Sequence, residues 1–317
     1  MPLHWIYDIQ KINDLLKAEG RENAPEFFPT PSCSFYQASF GDQSPYGAEL
    51  VPLLRTLASS TGDFSADSYA KEIVDYFTSS TAYRNASIRG VITNYEEGKR
   101  GIACGHATDF QANCFAKAAL IVAKYGGKPE LLNVAEKAIR VQQNNDDAVR
   151  YGLTAVKLME KVVVEGHTID QALMWLSCEG SLDEEMKALV KRGIGAKVAP
   201  LKELQFEPAE YMKEMMTKAS ALSDSLPPFT WSVWCNGPAC GNPAAFVNVV
   251  MAGAVYENSY VDGVRANLMA GGDNCSRGCM VGALLAAQGG LDSIPVEWRK
   301  QTKGYAEYEA LVDKMLA

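Results

Sequence analysis

An all-α fold is what this sequence predicts, and three features carry the expectation. Apolar residues recur at steps of three, four and seven through most long segments. Helix-starting and helix-stopping residues flank those segments. Alternating apolar and polar strands are scarce. The nearest candidate, IRGVITNY (88–95), is weakened as a strand by Gly90.

Taken in order, the stretch GDQSPYGAELVPLLRTLA (41–58) reads as a loop ending near Gly47 and entering an apolar helix, with Glu49 in its first turn. ADSYAKEIVDYFTSS (66–80) follows as a helix. TDFQANCFAKAALIVAKYGG (108–127) reads as one helix, with Thr108 or Asp109 as N-cap and a glycine pair as C-cap. Segment 146–166 places Val149, Leu153, Val156 and Val163 on one face, with Asp146 and Asp147 at its start, where the macrodipole favours anions. The segments 168–177, 183–193, 208–223 and 305–317 are helical by the same criteria. SLPPFTWSVWCNGPACGNP (225–243) reads as a rigid loop packed over the body, because Trp231 and Trp234 need burial. AAFVNVVMAGAV (244–255) is too short to span a bilayer and reads as a buried helix.

Composition sets bounds on function. The chain has 317 residues, of which 47% are hydrophobic and 21% charged, enough for a large core, and it is expected to form one domain over 1–317. A net charge of −8 with scattered basic residues argues against nucleic acid as a partner, and no segment suits a membrane. Eight cysteines at 33, 104, 114, 178, 235, 240, 275 and 279, several within helical patterns and with no secretory leader before them, point to reduced thiols and a cytoplasmic location.

The chemistry concentrates in AGGDNCSRGCMVGALLAAQGG (270–290). Asp273 or Asn274 caps a helix of small residues, and Cys275 and Ser276 fall in its first turn, where unpaired N–H groups favour anions. A cysteine so placed can be acidified and reactive. Cys279 lies one turn on, so the two could form a redox couple. The alternative is plain packing, in which both cysteines are small residues where helices meet. His106 and Asn113 flank the start of the 108–127 helix and could line a pocket beside Asp109. CNGPAC (235–240) has the wrong spacing for a zinc site.

The order of these parts resembles the ADP-ribosylglycohydrolase family over nearly the whole chain. MPLHWIYD (1–8), the 41–77 stretch, HATDFQANCFAKAALIVAKYG (106–126), VQQNNDDAVRYGLTAVKLM (141–159) and LMAGGDNCSRGCMVGALLAAQGGLDSIPVEW (268–298) carry the likeness. The resemblance implies a single compact multi-helix domain and, in active members, hydrolysis of ADP-ribosyl bonds with two Mg²⁺ ions. It also implies a Gly-rich helix ahead of PLHW that this sequence does not show.

The metal motifs depart from the family pattern. Where active members carry Thr-Asp-Asp-Thr, this chain has Ser44-Pro45-Tyr46-Gly47. Where they carry Gly-Gly-Asp-x-Asp-Ser/Thr, Asp273 and Ser276 match but Cys275 replaces the second aspartate. An acidic residue after the proline of the opening segment is replaced by His4. A close pair of Mg²⁺ ions needs several carboxylates, and a thiolate is a poor ligand for it. The departures resemble the J-crystallin and selenoprotein J branch of the superfamily.

Two expectations stand. In one, no cofactor is used and the protein is structural, ligand-binding or thiol-redox, with Cys275 and Asp273 as its chemical residues and Ser44, Tyr46, His106, Asn113, Asn274 and Ser276 around a pocket for an ADP-ribose-like small molecule. In the other, a rebuilt site still hydrolyses ADP-ribosyl or related glycosidic bonds, with Mg²⁺ held, if at all, by Asp273 and Ser276.

Overall fold

The computed structural model describes residues 3–30, 38–60 and 62–317; Cys33 and the first two residues of the MPLHWIYD segment lie outside them. The described residues are helical with turns between. The helices are α1 (Ile9–Ala18), α2 (Pro45–Ser59), α3 (Ala66–Ser79), α4 (Ala86–Glu96), α5 (Asn113–Ala116) and α6 (Ala118–Tyr125). Next come α7 (Leu131–Gln142), α8 (Asp146–Val163), α9 (Ile169–Leu176), α10 (Glu184–Gly195), α11 (Glu210–Ser220) and α12 (Pro228–Asn236). The series ends with α13 (Ala244–Tyr256), α14 (Tyr260–Met269), α15 (Asn274–Gly289), α16 (Val296–Gln301) and α17 (Tyr305–Leu316). No α-helix is long and apolar enough to cross a membrane among the described residues.

Backbone contacts divide the chain into two compact units, Met1–Asp42 with Thr168–Gln301, and Gln43–His167 with Thr302–Ala317. In the first, α13 is the central helix, packed by α9, α10, α12, α14 and α15. Ten consecutive residues of it, Ala245–Ala254, are buried, as a helix apolar all round requires. Close approach rests on glycine: a Cβ at Gly193 would stand 2.6 Å from Val250 Cγ1, and one at Gly263 2.4 Å from Leu285 Cδ1. Helix α1 buries Ile12 and Leu16 with Leu3, Ile6 and Phe28, while its Ile9 packs with Met212, Met216 and Trp234. Each such fully buried aliphatic side chain contributes roughly 1.5–3 kcal/mol.

In the second unit α8 packs against α5, α6 and α7, and α2 lies against α3 and the C-terminal α17. Helix α8 starts at an Asn145 cap whose side chain accepts from the Ala148 N–H, with Asp146 and Asp147 in the first turn. Its buried stripe includes Val149, Gly152, Val156 and Met159, whereas Val163, expected on that face, is 48% exposed.

Four local expectations change. Residues 88–95 lie in α4, whose buried Ser87, Ile88, Val91 and Ile92 follow a helical period; Gly90 there allows close approach of His106, whose Cδ2 lies 3.0 Å from where a Cβ would be. The 108–127 segment is two helices, α5 and α6, parted at Lys117. Within 225–243, Pro227-Pro228 opens α12 instead of marking a loop, since proline suits a first helical turn. Trp234 is buried as its size demands. Helix α2 begins at Pro45, two residues before Gly47, for the same reason.

Candidate functional site

In the first unit the site is built by a glycine turn. After α14, Gly271 and Gly272 take φ of +68° and +59°, a region that favours glycine. A Cβ at Gly272 would meet Pro238 O at 2.5 Å, and one at Gly271 would meet Ile6 O at 2.9 Å. This tight turn lets the N-terminal segment run alongside: the Trp5 N–H donates to Gly272 O (2.9 Å) and the Gly272 N–H to Ile6 O (2.7 Å). The turn delivers Asp273 as the N-cap of α15.

Every buried polar group here is engaged. Asp273 Oδ1 accepts from the Ser276 N–H (3.2 Å) and Oδ2 from the Trp5 indole N–H (3.0 Å). The Asp273 N–H donates to Pro238 O (2.9 Å), and Ser276 Oγ donates to Asp273 O (2.7 Å). Asn274 donates to Leu3 O and Leu268 O, pinning the start of the N-terminal segment. Trp5 holds a φ of +61°, a strained value for an aromatic residue, and its ring stacks on His4 at 5.6 Å.

His4 is what the sequence reading left out as a participant. It is 2% exposed, with Nε2 3.5 Å from Asp273 Oδ1. Its Nδ1 lies 3.3 Å from both Asn274 Oδ1 and the Cys275 amide nitrogen. A charged ring donates to Asn274 and Asp273; a neutral one accepts from the Cys275 N–H through Nδ1. The Cys275 thiol, 9% exposed, hydrogen-bonds the imidazole. Burial is the largest influence and pushes this thiol up, but the His4 charge, the His4 hydrogen bond and the chain's terminal ammonium together leave the pKa below the ordinary cysteine value. Burial likewise works against a charged His4, yet Cys275 and then Asp273 hold its pKa above the ordinary range. Both shifts run toward thiolate and imidazolium, and the same ring has Nε2 3.5 Å from Asp273 Oδ1, which groups a cysteine, a histidine and a carboxylate as nucleophilic chemistry requires. Cys279 lies one turn on and is half-buried. The buried Cys235 contrasts with Cys275: burial alone pushes its thiol up to about 11.

The other sequence candidates, Ser44, Tyr46, His106 and Asn113, lie in the second unit. Ser44 is the N-cap of α2, its Oγ accepting from the Gly47 N–H at 2.9 Å. Tyr46 is buried in the first turn of α2. His106 Nδ1 accepts from the Thr108 and Asp109 N–H groups (3.3 and 3.1 Å), and so orders the turn before α5. Asn113 is fully buried and donates to both oxygens of Glu49 (2.9 and 2.7 Å). Gln142 donates to Glu49 Oε2 at 2.7 Å, and Asn85 to Oε1. Glu49, Gln142 and Lys117 belong to this network, and the sequence offered no signal for it beyond Glu49 in an apolar helix.

The residues present do not fit a magnesium pair. Asp273 is the single motif carboxylate left, and both its oxygens are occupied; the Ser276 hydroxyl is turned to a backbone carbonyl. Among the described residues no group of three or more His, Cys, Asp or Glu side chains is placed to hold a metal ion.

Comparison with known proteins agrees with this architecture. The ADP-ribosylglycohydrolase family profile matches residues 1–317. Crystallin J1A of Tripedalia cystophora is 24% identical over 333 residues, covering 99% of this chain and 92% of the relative. Crystallin J1B of the same organism is 23% identical over the same coverage. A solved ADP-ribosylglycohydrolase-related protein complex shares the fold at a TM-score of 0.56 and 17% identity, over 88% of this chain and 82% of that one. With its family profile matched from end to end on an all-α fold, the chain belongs to the ADP-ribosylglycohydrolase family.

Proposed function

We propose that this protein is an ADP-ribosylglycohydrolase-fold member of the J-crystallin and selenoprotein J kind that does not run magnesium-dependent hydrolysis, and whose chemistry is carried by the Cys275 thiol. The observation that supports this most is His4, which brings an imidazole to Cys275 from 271 residues away in sequence and to Asp273 as well. In this reading Cys275 attacks a compact electrophile. A new bond forms at sulfur, and the displaced electron pair leaves on the departing group, which takes its proton from His4. Cys275 as a residue is 9% exposed, so this reading restricts the electrophile to a small reagent or the reactive end of a larger one. An ADP-ribose-like small molecule is the ligand class to test first, because the family fold is kept. A cytoplasmic location belongs to the same reading, since a thiolate is preserved in a reducing compartment.

The test is turnover of ADP-ribosyl-arginine, ADP-ribosyl-serine and O-acetyl-ADP-ribose, with Mg²⁺ and with chelator, by the wild type and Cys275→Ser. The reading expects no magnesium-dependent turnover, and loss in Cys275→Ser of any metal-independent turnover. Turnover that requires Mg²⁺ and survives Cys275→Ser would establish the rebuilt hydrolase instead.

A further inference from the structure

The second unit contains a buried carboxyl and a buried amine, Glu49 and Lys117, that the thiol chemistry does not use. Glu49 and Lys117 are 3% and 1% exposed, and both are tied to Asn113. The Asn113 side chain donates to Glu49, while Lys117 Nζ donates to the Asn113 backbone carbonyl at 2.8 Å. Three amide side chains, from Asn85, Asn113 and Gln142, turn their N–H groups to Glu49. Asn113 Oδ1 and Gln142 Oε1 are thereby left without a hydrogen-bond partner. That orientation suits an ionised carboxylate, which accepts only; a protonated acid would need one of those oxygens as its acceptor.

A carboxylate with this little exposure is costly unless a positive charge is near. We propose that Lys117 is a built-in counter-cation: its ammonium, sealed in the core of the second unit, supplies from within the chain the charge that balances Glu49, so that this unit needs no bound cation. The mutual effects agree in sign. Burial is the larger influence and leaves Glu49 raised and Lys117 lowered, while each is the largest influence opposing the other's shift. Asp109 acts on Lys117 in the same sense more weakly. Five elements meet on this pair, since α2, α4 with its cap, α5, α7 and the lysine between α5 and α6 all contribute. The pair thus fixes the packing around the first turns of α2. This inference does not rest on the thiol reading, which concerns the other unit.

The test is a double-mutant cycle on the full chain. Thermal midpoints are measured for wild type, Lys117→Met, Glu49→Gln and the double variant, in MgCl₂ and in NaCl of equal ionic strength. Either single variant should melt on the order of 10 °C lower, and the double variant should recover most of that loss. The wild-type midpoint should be the same in both salts. Equal melting of wild type and Lys117→Met, no recovery in the double variant, or stabilisation of the wild type by Mg²⁺ alone would each overturn the proposal. Should the single variants not fold, ¹⁵N-lysine NMR of the wild type decides: a slowly exchanging ammonium at Lys117 at pH 7 supports it, and a neutral amine contradicts it.

Discussion

Replacing His4 by glutamine removes the charge facing Cys275 while keeping a side chain that can still bond Asn274 and Asp273. Without the imidazolium, burial, the largest influence, and the Asp273 charge both push the thiol up against the terminal ammonium alone, and its pKa moves above the ordinary cysteine value. An ordinary thiol, with a pKa near 8.5, is about 3% ionised at pH 7, and a buried one is less so. A paired Cys275 that is mostly thiolate at pH 7 would therefore lose up to roughly 30-fold of its reactive form in His4→Gln. The lower intrinsic nucleophilicity of an acidified thiolate offsets part of this, so the expected fall in alkylation rate is roughly 3- to 30-fold. The assay is iodoacetamide labelling of folded protein at pH 7, quenched in time and read at the Cys275 peptide by mass spectrometry. Cys178, an exposed cysteine, serves as internal reference. An unchanged ratio of Cys275 to Cys178 labelling in His4→Gln, with circular dichroism showing intact helix, would refute the pairing.

Two further substitutions probe how the sites are built. Gly272→Ala places a side chain 2.5 Å from the Pro238 carbonyl at a φ of +59° and presses on the Asp273 N–H bond to that same carbonyl. The expected loss is about 3 kcal/mol in urea unfolding, from the left-handed backbone and the strained bond together; a loss under about 0.5 kcal/mol would be inconsistent with the turn described. Ser44→Ala removes an N-cap of α2 and should cost about 1 kcal/mol while leaving Cys275 labelling untouched. A change in Cys275 reactivity without a change in stability would show that Ser44 acts chemically.

The sequence made the fold class and most helices legible because caps and period are local signals. The α15 cap at Asp273 or Asn274, the acidic pair Asp146 and Asp147 at the start of α8, and the apolar α13 are of this kind. Three of the four misread segments, all but the break at Lys117, fail for one shared reason, that proline and glycine have more than one use. Pro45 and Pro228 open helices, and Gly90 makes room for His106 within one. The site was half legible. Cys275 at a helix N-terminus could be read from its neighbours, but its partner lies 271 residues away, and His4 stood out in sequence only as the loss of an acid. The Glu49 network was hidden more deeply, since nothing local says which amides will turn toward a buried carboxylate. Ser44 and Tyr46 drew attention through the family motif and His106 through its place before a helix; in the second unit Ser44 caps α2, Tyr46 is buried in its first turn and His106 orders a turn.

The central claim, a thiolate held by His4 where the family would place a metal-binding carboxylate, is tested most directly by the pH dependence of wild-type Cys275 labelling. Because the Cys275 pKa is depressed, the thiolate persists below the ordinary range and is lost only as pH falls through the depressed value. Because the His4 pKa is raised, the imidazolium persists above the usual histidine value and is lost as pH rises through it. The account predicts a rate profile whose main midpoint lies below that of an ordinary thiol, near 8.5, and which moves above it in His4→Gln. A wild-type midpoint at or above about 8.5, coincident with that of His4→Gln, would contradict it.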